Sequence, residues 1–192
     1  GTNQLQVNWR KVIISGHSQG AGHAAYLSYK RGVAAVLFSG PQDCATCSSE
    51  WLSKMAVQHV PRRALFHIHE ECGPDPIDPT SYCESNLMSK NLMLMGMTEN
   101  ACMWHGNNAI PNCLETVIST APTRCDTGRT YHGSVAMDSS MSPNIESLWT
   151  ALFINLEMLS TVPIFSIISI TASLAPPCNG PQRAATPADI AA

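Results

Sequence analysis

Short apolar runs broken by small and turn-forming residues set the pattern along this chain. Lys11–Ser15 (Lys-Val-Ile-Ile-Ser) is β-branched, apolar and too short for a helix, as expected of a strand buried on both faces of a parallel sheet. Gly16-His17-Ser18-Gln19-Gly20 follows, and then a segment rich in small residues from Ala21 to Tyr29 that is compatible with a helix and stops near Gly32, a natural residue just past a helix C-terminus. Val33–Phe38 (Val-Ala-Ala-Val-Leu-Phe) is a second strand-like run, reached through that one helix with the spacing of a right-handed βαβ crossover. It ends in the loop Ser39-Gly40-Pro41-Gln42-Asp43. Ser48-Ser49-Glu50-Trp51-Leu52 can cap and begin a short helix, Pro61 breaks the chain, and Ala64–His69 (Ala-Leu-Phe-His-Ile-His) reads as a third strand. Strands alternating with helices define the α/β class, with a mostly parallel sheet flanked by helices.

The pattern then weakens. From Glu70 to Tyr131 the chain is dominated by Pro, Gly, Asn, Ser and Thr, with one helix-like segment near Asn86–Met95. That stretch is too long for a plain loop, so it is expected to leave the sheet and to be held by cross-links rather than by periodic burial. After Tyr131–Asp138 and Pro143, an apolar segment containing Leu148, Trp149, Leu152 and Phe153 suits a final helix packed on the sheet. Residues 1–157 are read as one partial domain in which 76–130 form a disulfide-linked excursion. Residues 158–192 are read as an apolar segment and a disordered tail. No charge interrupts Met158–Leu174, but Pro163 and several Ser and Thr do, which argues against a membrane span and leaves a docked helix, a docked strand or an adventitious tail.

Composition narrows the function classes. The 192 residues carry 11 Lys+Arg against 14 Asp+Glu, a net charge of −3, with no basic block longer than Arg62–Arg63, so nucleic acid is not an expected partner. The hydrophobic fraction of 44% supports a packed core. Eight Cys are more than a cytosolic chain usually carries, and five of them fall between Glu70 and Tyr131, so they are expected to be mainly paired and the protein exported to a secreted or extracellular location. Cys72–Cys83 and Cys102–Cys113 are local loops that could close, although eight Cys leave the full pairing open.

The chemistry centres on Gly16-His17-Ser18-Gln19-Gly20. A bare Gly-x-Ser-x-Gly is weak evidence, but here it ends a buried strand and opens a helix, where a strained turn presents the Ser hydroxyl above the sheet. The two glycines allow the backbone to pass close to itself, and the Gln19 N–H at the helix start points where an oxyanion would form. The motif lacks the Lys of a phosphate loop and the spacing of a dinucleotide fingerprint.

Val-Ile-Ile-Ser-Gly-His-Ser-Gln-Gly-Ala-Gly-His-Ala-Ala-Tyr over Val12–Tyr26 resembles the nucleophile elbow of the α/β-hydrolase superfamily, lipases and esterases among them. Together with Phe38–Cys44, the Trp51-Leu52 pair, Phe66–Glu70 and His132–Asp138 before Trp149, the chain is similar to a largely uncharacterised group of that superfamily over about Lys11–Leu156. The resemblance implies a partial α/β-hydrolase fold whose N-terminal strands are missing, together with the loop that normally gives the second oxyanion donor. An exposed sheet edge beside the elbow strand is then expected.

The resemblance also implies a serine hydrolase cleaving an ester or related acyl bond of a small molecule, without a cofactor, and a triad in the chain order Ser, acid, His. Ser18 is the nucleophile. Asp75, in a Asp-Pro step past the third strand, is the first candidate acid, with Glu71 second and Glu70, Asp78 and Asp43 also in play. His132 is the candidate base, placed on a loop before the last helix, with His105 its rival. His17 is assigned to the wall of the substrate pocket, because neighbours on the turn point apart. The other function class left open is a catalytically inert hydrolase-like binding or structural module. His67-x-His69-x-x-Cys72 and Cys44-x-x-Cys47 invite a metal reading, but only one Cys pair is clear and no metal is assigned. Met88, Met93, Met95, Met97 and Met103 read either as flexible core packing or as an adaptable wall for an acyl group.

Overall fold

The computed structural model describes residues 7–42, 45–68, 87–97, 101–106, 109–122, 128–136, 144–159 and 166–170. Six parallel strands form one sheet: β1 (Val12–His17), β2 (Ala34–Phe38), β3 (Arg62–His67), β4 (Ala101–Trp104), β5 (Thr116–Ser119) and β6 (Ser166–Ile170). Their order across the sheet is β4-β5-β3-β2-β1-β6. The helices are α1 (Gln19–Arg31), α2 (Ala45–Ala56), α3 (Leu87–Leu94), α4 (Gly128–Ser134) and α5 (Ile145–Leu159).

Side-chain alternation divides the core between the two faces of the sheet. Val12 and Ile14 of β1, Ala35 and Leu37 of β2, and Ala64 and Phe66 of β3 pack with Ala21, Ala24 and Ala25 of α1, Leu52 and Met55 of α2, and Met88 and Leu92 of α3. Ile13, Val36, Phe38 and Leu65 face the other way, onto Leu148, Leu152 and Leu156 of α5 and onto Trp104. Both faces of the central strands are therefore covered, which is why they read as continuous apolar runs. The small residues of α1 let its axis lie close to β1 and β2. Met88, Met95 and Met97 are buried in the first of these clusters, whereas Met93 is exposed.

Helix α1 stops at Gly32, whose φ of 61° gives the left-handed cap expected there and whose N–H reaches the Ser28 carbonyl. The N-terminal end of the sheet is tied by Arg62, the first residue of β3 and only 7% exposed. Its guanidinium donates to Ser28 Oγ of α1 (3.1 Å), to the Met55 carbonyl of α2 (3.1 Å) and to Gln58 Oε1 (2.6 Å). Burial pushes its pKa down to about 10, which leaves it charged at neutral pH.

Two expectations are corrected. The 76–130 segment does not simply leave the sheet: it supplies β4 and β5, which pair with each other, and β5 pairs with β3. Residues 105–115 make this parallel connection with no helix among the described residues, and a Cys102–Cys113 disulfide staples β4 to the returning chain. The edge beside β1 is also occupied, because β6 lies along it in parallel register, Val12 opposite Ser166 and Gly16 opposite Ile170. The charge-free, Ile-rich Ser166–Ile170 run meets the backbone groups of β1 that would otherwise lack partners, and burial of such groups without a ladder is costly. No helix among the described residues is long and apolar enough to cross a membrane.

Candidate active site

Ser18 joins the C-terminal end of β1 to the first residue of α1 with φ 58° and ψ −125°. A non-glycine residue rarely adopts such a backbone, at a cost of about 1–3 kcal/mol, and surrounding contacts must enforce it. They do so on both sides. The Ser18 N–H donates to the Phe38 carbonyl at the end of β2 (3.0 Å), and its own carbonyl accepts from Ala21 N–H (2.9 Å). A Cβ on Gly16 would stand 2.1 Å from the Gly20 carbonyl oxygen, so the turn closes only over glycine there. A Cβ on Gly40 would meet Ala21 Cβ at 2.7 Å and the Ser18 carbonyl at 2.9 Å. The half-buried Ser18 side chain makes no capping bond to α1. The Gln19 N–H, in the first turn of α1, has no intrahelical acceptor.

His132 is brought to this turn from the far side of the chain. It lies on α4, a short helix rather than the loop expected, and its ring centroid is 4.7 Å from that of His17, the residue before Ser18. Its carbonyl accepts two hydrogen bonds, from His17 Nε2–H (2.7 Å) and from the Ser39 hydroxyl (2.7 Å). A carbonyl can only accept, so the proton of His17 sits on Nε2. Burial lowers the pKa of His17, the bond to the His132 carbonyl opposes that shift, and the nearby His132 adds to it. Burial thus favours the neutral form of His17, and its ring packs against that of His132.

The neighbouring residue on α4 makes the second anchor. Tyr131 stacks on His67 with ring centroids 4.7 Å apart and planes 18° from parallel, and His67, 1% exposed at the end of β3, has Nε2 2.9 Å from the Ala121 carbonyl. Ser39, His67 and Tyr131 went unrecognised in the sequence as parts of the site. A signal was there for Ser39 and His67, since Ser39 follows β2 and His67 ends β3, adjacent strands of a parallel α/β sheet, where ligands gather at the carboxyl ends.

His105 follows β4, separated from β1 by four strand spacings, roughly 19 Å at about 4.8 Å each. It is exposed and its Nδ1 is 2.6 Å from Thr120 Oγ1. Asp75, Glu71, Glu70, Asp78 and Asp43, the candidate acids, lie outside the described residues, as do His69, Cys44, Cys72 and Cys83. Among the described residues no group of three or more His, Cys, Asp or Glu is placed to hold a metal ion.

The arrangement is a parallel α/β sheet with a strained serine at a strand-to-helix turn and a histidine from a later helix packed on the residue before that serine. No family model, curated protein or solved structure matches the chain.

Proposed function

We propose that the protein is a serine hydrolase of α/β-hydrolase type that cleaves an ester or related acyl bond of a small molecule. The observation that carries this reading is the backbone of Ser18, held at φ 58° between β1 and α1 with His132 packed against its neighbour. Strain of that kind persists where the surrounding structure enforces it, and here it lifts a hydroxyl out of the helix-capping role a Ser would otherwise take.

In this reading Ser18 Oγ attacks the substrate carbonyl while His132 takes its proton. The Gln19 N–H stabilises the oxyanion at the N-terminus of α1. As the bond to the leaving alcohol breaks, His132 returns the proton to that oxygen. Water then adds to the acyl–Ser18 ester by the same route and releases the acid. Asp75 is assigned to orient His132 from its place in the chain, with Glu71 second. The Cys102–Cys113 disulfide supports export to an oxidising compartment.

The test is labelling with a fluorophosphonate probe. Wild-type protein should be labelled at Ser18, Ser18→Ala and His132→Ala should not react, and His105→Ala should react normally. A folded, soluble preparation that is not labelled at Ser18 would instead favour an inert binding or structural module.

A further inference from the structure

The carbonyl of His132 sits where two side-chain donors from different strands converge. His17 Nε2–H comes from the end of β1 and the Ser39 hydroxyl from the residue after β2, each at 2.7 Å. Peptide carbonyls near the end of a short helix have no intrahelical donor and usually turn to water or to a cap. This one is instead bonded to the two segments that build the elbow. Ser39 itself holds φ 51°, and its N–H donates to the Leu65 carbonyl of β3, so its hydroxyl is delivered by a fixed backbone.

We propose that His17 is a positioning residue, its Nε2–H and the Ser39 hydroxyl together clamping the His132 carbonyl so that the His132 imidazole is held at Ser18. This rests on the reading of Ser18 and His132 as nucleophile and base. In this role His17 acts on the chemistry through the backbone of His132, whose carbonyl it bonds. The ring packing of His17 on His132 adds a second restraint, because rotation of the His132 side chain must displace a half-buried neighbour. The Tyr131–His67 stack fixes the other side of α4, so the helix is restrained toward both β1 and β3.

The test compares His17→Phe, His17→Gln and Ser39→Ala in the full chain, reading the maximal rate and half-saturating concentration of Ser18 inactivation by a fluorophosphonate, with Tm alongside. His17→Phe keeps a ring but no donor, and should lower the maximal rate by roughly ten- to a hundredfold with half-saturation unchanged, the size of effect that a small misplacement of a catalytic group produces. His17→Gln restores an N–H near the same place and should recover most of that loss. Ser39→Ala, leaving one donor of two, should slow the maximal rate by less than His17→Phe does. Rescue by Gln is the readout that a merely structural His17 would not give. Wild-type rates in His17→Phe, or equal slowing in His17→Phe and His17→Gln, overturn the proposal while Ser18→Ala and His132→Ala still confirm the nucleophile and base. Should His17→Phe fail to fold, a wild-type rate in Ser39→Ala overturns it. Folded wild-type protein that is not labelled at Ser18 overturns the hydrolase reading and the positioning role together.

Discussion

The two ends of the sheet are built by opposite rules. At the N-terminal end, Arg62 satisfies a carbonyl at the end of α2, a hydroxyl on α1 and the Gln58 amide, and α1 leaves through an unstrained glycine cap. At the C-terminal end, Ser18 and Ser39 both hold positive φ, Gly16 tolerates no Cβ, and two histidines pack ring to ring. One end uses hydrogen bonds to close the fold; the other uses the fold to hold conformations that would not persist alone. The same strands serve both because a parallel sheet directs all its carboxyl ends one way, where the loops are free to vary in conformation.

Substitutions should separate the two ends. Gly16→Ala forces a methyl into the Gly20 carbonyl, and since backbone rather than a flexible side chain must move, a loss above about 3 kcal/mol is expected in urea unfolding, with no labelling of Ser18. Arg62→Met removes three donors from the opposite end while keeping the apolar stem. It should cost about 2 kcal/mol and leave the labelling rate of the folded fraction unchanged. A labelling defect in Arg62→Met would show that the two ends are not independent.

Ser18→Gly should do the reverse. Glycine accepts φ 58° freely, so relief of strain should outweigh the extra freedom of the unfolded chain and stabilise the protein by up to about 1 kcal/mol while labelling disappears. A destabilised Ser18→Gly would mean that the turn stores no strain. The smallest effect is expected from His17 and pH. Its folded pKa lies below the usual 6.5 because of burial, so as pH falls below 6.5 the unfolded chain takes up a proton that the folded one refuses, and stability declines. His17→Gln should flatten that part of a Tm profile measured from about pH 7 to about pH 5; an unchanged slope would assign the decline to other groups.

The first strand, helix and strand were legible because their information is local. Val12–Ile14 and Ala35–Phe38 are buried on both faces and so carry continuous apolar runs, Gly32 marks the helix end, and the glycines about Ser18 are required by contacts only a few residues apart. Even there the strand edges moved: β3 begins at Arg62, two residues before the apolar run, because pairing with β2 rather than side-chain polarity sets where a ladder starts.

The tertiary structure decided the rest. Ala101–Trp104 and Thr116–Ser119 are too short and too mixed to announce themselves, and become strands by pairing in register with each other and with β3. Ser166–Ile170 could have been several things as an isolated apolar run, and is a strand because the edge of β1 offers it a ladder. His132 could be ranked by its order in the chain, but its position on α4, the two donors on its carbonyl and the His67–Tyr131 stack beside it depend on residues from β1, β2 and β3 that are distant in sequence. Turn geometry is written in neighbouring residues. The clamp on a histidine is written in the crossing of strands, where sequence separation carries no periodic signal.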